Sequence, residues 1–469
     1  MKVVQKENNY GKVAALGTTR EFAKFAANLS FDQLPEGVAE KARNCLLDTL
    51  GCAFAGFSSK TVNIIVQFAE NYRGREESTI WTLGEKVPSF WAASVNACSA
   101  HDLELDDGHV LGHTHPGVTV IPPALAIAET LKVSGSDLIT AIVLGYEINI
   151  RLGEAITPSS LYGRHFHVPG LVGSYSAATA VGKLLNLNEK EMANALGIAC
   201  LGPVAPFETF DKGVMTKDMY AGWPVVVGTM AALLAHKGFT GADTIFEGKS
   251  GFCQAVADEY RLNRITERLG QEWSILTIYQ KRHAMCSHGH TTMDAGLEIY
   301  EKHHPRPEDI QTVTVRTYGF AAGMNNTEPE SDVAAKFSIP YCLAVVLING
   351  RQVGGQDFAS SLLKSDKIRQ LSRKIKVSLD TEVDRFHKEH EESRRSIVEV
   401  VMRNGAKYSS RVDTAKGWPS KPLSYEEIEA KFKTLASGSV SKKEAEEIIK
   451  TVNSLESQKS LAGLIQLLS

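Results

Sequence analysis

The chain has no Cys-x-x-Cys pair. Its seven cysteines, Cys45, Cys52, Cys98, Cys200, Cys253, Cys286 and Cys342, are scattered and odd in number. That argues against a disulfide framework, a dithiol redox motif or a cysteine-built zinc site. Most lie in apolar helical pattern, as Cys342 does in PYCLAVVL, so free buried thiols in a reducing, cytoplasmic setting are expected. There is no long Lys/Arg block and the net charge is −3, so nothing draws the chain toward nucleic acid or an anionic membrane. The first residues, MKVVQKENNYGKVAALG, lack the apolar core of a secretory signal. No uncharged apolar run reaches about 18 residues, so no transmembrane helix is expected. Walker A, a glycine-rich dinucleotide loop after a strand, and G-x-S-x-G are all missing. Their absence argues against nucleotide cofactors and the commonest serine hydrolases.

What is there is an ordinary globular composition, 43% hydrophobic and 22% charged over 469 residues, enough for two or three domains at roughly 100–200 residues each. Residues 1–270 read as helical. Thr18–Thr19 can cap a helix through Leu29, and Val38, Ala42, Leu46, Leu47 and Leu50 follow at helical spacing. A short β-like run, Thr79 to Thr82, interrupts. Helical pattern resumes near Trp91, Ile121, Leu138, Val172, Met192 and Val225, and small-residue stretches such as GSYSAATAVGKLL allow helices to approach closely. Residues 271–412 change character. Ile310–Tyr318, Lys374–Leu379 and Ser396–Met402 alternate as strands, and Asn404-Gly405 signals a hairpin into Tyr408–Val412. Helices are expected at His290–His303 and Asp332–Asn349. Residues 413–469 return to helix, with capping boxes at Ser424-x-x-Glu427 and Ser441-x-x-Glu444. The expected architecture is therefore mainly α: a large all-α domain built from both chain ends, with a smaller α+β domain inserted.

Four segments carry chemistry-bearing residues. His101 to His115 holds four histidines and four acids in 15 positions: His101, Asp102, Glu104, Asp106, Asp107, His109, His113 and His115. Such charge density is costly inside a helix core, so a polar loop at the mouth of a bundle is expected. It reads as a substrate or metal site, against a solvated loop. GRHFHVPGLVG places Arg164, His165 and His167 at a helix start, where anions are favoured. A capping turn with surface histidines is the plainer reading. Lys217, in VMTKDMYAGW, is set among apolar residues. Burial would lower its pKa and make it an acid or base near neutrality, although most single lysines are solvated. KRHAMCSHGHTTMDAG holds Lys281, Arg282, His283, Cys286, His288 and His290 at the domain junction, a favoured place for ligands. Its Cys-x-His-x-His group matches no established zinc spacing.

The runs HDLELDDGH, HTHPGVTVIPPALAIAE, LGYEINIRL, GRHFHVPGLVGSYSAATAVGKLL, VMTKDMYAGW and AKFSIPYCLAVVLING, in this order and spacing, resemble the MmgE/PrpD family along almost the whole chain. That family includes 2-methylcitrate dehydratases, cis-aconitate decarboxylases and an iminodisuccinate epimerase. The resemblance implies a helical domain with an α+β lid, a homodimer, no metal and no organic cofactor. It implies a site between the domains at Glu104, Asp106, Asp107, His115, His167, Lys217 and His290. Arg164, His165 and Lys281 join these as candidate substrate contacts. Glu104 stands where many members have Asp, Gly108 where Thr is common, and Tyr220 near a frequent His; Tyr341 matches a Tyr of the decarboxylase branch. The missing Thr and His weigh against decarboxylation of cis-aconitate.

The resemblance implies chemistry next to a carboxylate, in which a cationic, water-poor pocket stabilises developing negative charge. Lys217 with His115 or His167 is the expected acid–base pair, oriented by the three acids, and histidine suits either role with its pKa of about 6.5. The first expectation is a cofactor-free dehydratase of a small di- or tricarboxylate. An epimerase of an iminodisuccinate-like acid is the alternative, and a metal-dependent hydrolase using His109, His113 and His115 is the reading from another class.

Overall fold

The computed structural model describes residues 17–469 apart from Val204. The N-terminal segment read above for a secretory signal lies mostly outside the described residues. Two hydrophobic cores organise the chain. The first draws on residues from Phe22 to Ile278 and again from Ile428 to Leu468. The second runs from Ala284 to Val412 and takes in Cys52 and Leu105 from the helical part. Chain order and packing thus differ: the last helices, Tyr425–Ala436 and Lys442–Asn453, pack back on Glu36–Gly56 near the start of the chain. Lys431 ties them down, with its ammonium 2.7 Å from Asp48 and donating to the Leu105 carbonyl at 2.8 Å. Both C-terminal helices start at the expected capping boxes, Ser424 with Glu427 and Ser441 with Glu444.

The helical domain is built around Pro116–Thr130, Gly135–Ile156, Val168–Leu184 and Met219–His236, packed on one another. Small residues make this packing tight. A Cβ at Gly228 would lie 2.4 Å from the Ser174 carbonyl, and one at Gly173 would lie 2.9 Å from Pro224. One segment, Met215–His236, is long and apolar enough by length and composition to cross a membrane. The expectation of no such segment needs correction, since Met219–His236 alone runs 18 residues without Asp, Glu, Lys or Arg. It is mostly buried among the other helices.

The second domain is a four-stranded sheet with helices on its apolar face. Its order is Ile375–Leu379, Ile310–Thr317, Ser396–Met402 and Lys407–Val412, the first pair parallel and the rest antiparallel. Val313, Val315, Val398 and Val400 point inward at alternate positions, as the two-residue period of a half-buried strand requires. His290–His303 and Ile339–Asn349 pack against this sheet. Three local expectations need correction. The β-like run near Thr79 is only a two-residue strand, Ser78–Thr79, paired with Lys86–Val87. Thr19 caps nothing; its hydroxyl donates to Glu247. The helix expected over Asp332–Asn349 is two helices, Asp332–Lys336 and Ile339–Asn349, because the Ser338 hydroxyl caps the second and Pro340 sits in its first turn, where proline is tolerated and the preceding helix is cut short.

Gly228→Val should push the Val168–Leu184 and Met219–His236 helices apart, costing about 1–3 kcal/mol as overpacked cores do. Chemical unfolding of the variant beside the parent protein checks this.

Candidate active site

Two histidines end irregular segments and begin helices. His115 precedes Pro116–Thr130 and His167 precedes Val168–Leu184, and each helix carries proline in its first turn, a position that proline pre-organises. The two rings come within 6.3 Å of each other. Both line a cleft of about 560 Å³, measured to its open mouth, between the helical domain and the α+β domain. Glu104, His109 and His113 join them from the helical side; Cys286, Ser287, His288 and Arg394 face them from the other domain.

Beneath this wall lies a buried charge network. Glu104, Asp106 and Asp107 are all buried, so the acidic loop is not the solvated mouth that its composition suggests. Glu104 pairs with Lys217 through one oxygen and with Lys281 at 2.9 Å through the other. Asp106 takes Lys281 at 3.4 Å on Oδ1, and on Oδ2 the Nδ1 atoms of His101 at 3.0 Å and His115 at 2.9 Å. Burial alone would push both carboxyls up; for Glu104 the ammonium groups of Lys217 and Lys281, and for Asp106 Lys281 with His101 and His115, hold them well below the usual range. Lys217 moves opposite to expectation. Burial would lower its pKa, but Glu104, Asp218 and Asp106 outweigh burial and raise it. It is a fixed cation, not a base poised near neutrality, and it stands behind Glu104 rather than on the cleft wall.

The hydrogen bonds of His115 decide its tautomer. Nδ1 lies 2.8 Å from the Asp107 carbonyl. A carbonyl only accepts, so Nδ1 carries the proton, and in the neutral ring Nε2 is the bare nitrogen. Asp107 acts through this carbonyl alone. Its carboxylate is occupied by the Tyr146 hydroxyl at 2.5 Å and the Gly117 amide at 2.9 Å, and burial lifts its pKa to about 6. His101, Asp106 and His115 bring ligand atoms within 4.8 Å of one another. They suit a cation poorly: Nδ1 of His115 is a donor, and the Lys281 ammonium already sits on Asp106. His109 and His113 do not join this group. His109 is turned to Thr277 at 3.1 Å.

The remaining histidines on the cleft are neutral. His167 is pushed well down by burial, then by His115 and His101, and stacks on Tyr220. His113 is lowered to about 3 by burial and by Arg394, and stacks on His288, itself pushed down by the same two causes.

His290, Arg164, His165 and Tyr341 are not brought to the cleft. His290 is the first residue of its helix and turns inward, its Nε2 donating to the Met285 carbonyl at 3.2 Å and its ring against His283 and Trp418; His288, in the turn before it, is the ring that lines the cleft. Arg164 is exposed and held by Asp258 at 2.7 Å, and His165 is exposed at a positive φ of 57°. Tyr341 lies away from the cleft wall, its hydroxyl on the Asp357 carbonyl at 2.5 Å. At Gly108 a Cβ would meet the Tyr279 hydroxyl at 2.3 Å; Tyr279, a cleft residue, fills the space where the resemblance leads one to expect threonine. Arg394, two residues before the strand Ser396–Met402 and next to a second arginine, is the charged cleft residue that the sequence reading missed.

Fold and site together define a two-domain protein with a histidine-lined cleft suited to acid–base chemistry on an anion. The MmgE/PrpD N-terminal domain matches residues 20–264 and the MmgE/PrpD C-terminal domain residues 283–457: the chain belongs to the MmgE/PrpD family. It is 27% identical to a cis-aconitate decarboxylase of Aspergillus terreus, over 97% of this chain and 96% of that one. It is 28% identical to the cis-aconitate decarboxylase of Homo sapiens over 96% and 94%, and 26% identical to a cis-aconitate decarboxylase-like protein of Aspergillus oryzae over 96% and 97%.

The neutral, buried histidines make acid sensitivity calculable in sign. An unfolded imidazole titrates near 6.5, whereas burial holds His109 and His101 down to about 4. Between those values the unfolded chain binds protons that the folded chain does not. Stability is therefore present above pH 6.5 and lost as pH falls toward 4, by up to about 1.4 kcal/mol per pH unit for each such ring. Asp107, raised to about 6, and Asp218, raised to about 7, oppose this, as do Asp48, Asp102 and Glu147, which burial also raises. His109→Gln should flatten the slope of unfolding free energy between pH 6.5 and 4.5, read by urea titration.

Proposed function

We propose that this chain is a lyase that moves a proton at the carbon next to a carboxylate of a small di- or tricarboxylate, with His115 as the proton-transfer group. The observation that carries the reading is the fixed tautomer of His115. Its Nδ1–H is engaged by the Asp107 carbonyl and the Asp106 carboxylate, leaving a bare Nε2 on a side chain that lines the cleft. A base in that position takes the α-proton. Asp106 then faces the imidazolium, as a buried carboxylate behind a catalytic histidine does elsewhere. In a dehydration, the electron pair released at the α-carbon forms the alkene as the C–O bond breaks, and the departing hydroxide takes the proton that His115 has just accepted and leaves as water. Lys217 and Lys281 keep Glu104 and Asp106 ionised, so the orienting carboxylate stays an acceptor.

The names of the relatives favour a second reading, decarboxylation of cis-aconitate. There the carbon–carboxylate bond breaks, carbon dioxide leaves, and protonated His115 returns a proton to the resulting allylic carbanion. Both readings use the same nitrogen in opposite protonation states.

Incubation with citrate, 2-methylcitrate, isocitrate and cis-aconitate in heavy water, followed by NMR, separates the outcomes. Alkene formation supports dehydration. Loss of carbon dioxide with one solvent deuterium in the product supports decarboxylation. Deuterium at the α-carbon without an alkene points to epimerisation. Neither binding nor turnover of any such acid would sink the reading. His115→Gln should lower kcat by roughly 10²–10⁴-fold, as loss of a general base does, with an unchanged melting temperature.

The proposed assembly is a homodimer. Trp223 and Met230 are exposed on one face of the Met219–His236 helix, and Leu201, at 73% exposure, adjoins it. Apolar patches of this kind mark interaction surfaces. Sedimentation analysis should give a dimer, and Trp223→Glu with Met230→Glu a folded monomer.

A further inference from the structure

Two arginines stand side by side where the chain enters the strand Ser396–Met402, and their surroundings differ. Arg395 is fully engaged. It makes a bidentate pair with Asp413 at 2.7 and 2.8 Å and lies over the Phe386 ring. Arg394 is buried at 3% exposure and has no carboxylate partner among the described residues. One terminal nitrogen donates to the Ser287 hydroxyl at 2.5 Å, its Nε–H has no acceptor, and its nearest aromatic face is Trp418 at 6.0 Å. A buried guanidinium with an unmet donor is costly unless an anion completes it.

The charge balance of the cleft says the same. Among the described cleft-lining residues, Glu104 is the acid, and Lys217 and Lys281 behind it offset its charge and that of Asp106. His113 and His288, the rings nearest Arg394 in electrostatic terms, are held neutral by burial and by Arg394 itself. Among the described residues, Arg394 is the one lysine or arginine that lines the cleft, and no carboxylate lies within ion-pair distance of it. It enters from the α+β domain, opposite the wall that carries His115 and His167.

We propose that Arg394 binds a substrate carboxylate distant from the reacting carbon and so selects for acids with at least two carboxylates. Planar guanidinium matches carboxylate bidentately, here through the terminal N–H groups that face the cleft. With one end of the substrate held by Arg394 and the other against His115, each ligand spans both domains. This rests on the polycarboxylate reading above and adds to it the residue that sets chain length and charge.

The test is calorimetric titration of the full-length protein at pH 7 with tricarballylate, a tricarboxylate without a leaving group, and with propionate. The parent protein should bind tricarballylate, and Arg394→Gln should weaken that binding by roughly 10- to 100-fold, the range for a hydrogen bond to a charged group. Propionate, which lacks the second carboxylate, should bind parent and variant alike. With a turned-over substrate, KM should rise more than kcat falls. Equal tricarballylate affinity in parent and Arg394→Gln overturns the role of Arg394 and leaves the polycarboxylate reading standing. No binding of tricarballylate or of any other di- or tricarboxylate by the parent protein overturns both. Should Arg394→Gln fail to fold, Arg394→Lys keeps the charge but loses the bidentate edge. It should still lose affinity for tricarballylate, and unchanged affinity in that variant overturns the proposal.

Discussion

Four buried charges hold this molecule's centre together. Glu104 and Asp106 come from the loop after the helix Ser89–Asp102, Lys217 from the turn before Met219–His236, and Lys281 from the start of the second domain. None of the four is tolerable in the interior alone, since an unpaired ion loses several kcal/mol of hydration. Only the arrangement that brings all three segments together offsets that cost. The network therefore specifies register between distant parts of the chain more than it adds stability. It also leaves one carboxylate oxygen, Oδ2 of Asp106, for His101 and His115.

Because these ions cancel, the two walls of the cleft have different electrical characters. The helical wall presents imidazoles over a balanced network; the opposite wall presents a guanidinium with no carboxylate beside it. Proton transfer is best served by a group that can change charge, and anion binding by one that cannot. Histidine and arginine meet those needs, and the domain boundary keeps them apart.

Much of the fold was legible because its signals are local. Capping boxes at Ser424 and Ser441, the alternation in Ile310–Thr317 and Ser396–Met402, and the hairpin at Asn404-Gly405 each depend on residues a few positions apart. The break between Asp332–Lys336 and Ile339–Asn349 was equally local, in Ser338 and Pro340, but is masked by the apolar run that follows. The site was legible as a set of segments and less so residue by residue. The pKa direction of Lys217 depends on Glu104, more than a hundred positions earlier. The choice between His288 and His290 depends on a single turn, Ser287–Gly289, that rotates one ring into the cleft and the other into the core. Arg394 resembled its neighbour Arg395 in sequence; only tertiary partners distinguish a paired arginine from an unpaired one.

Lys431 has a further consequence. Its ammonium joins Asp48, on an early helix, to the carbonyl of Leu105, in the middle of the acidic loop. A residue that follows the inserted domain thus props the backbone between Glu104 and Asp106. While the chain is still being made, those acids lack both this support and the later lysine at 281. The nascent helical domain must therefore wait, with its central loop unsettled, until the helices that follow the inserted domain emerge, and the time during which synthesis leaves buried charge unmatched is set by the length of the inserted domain.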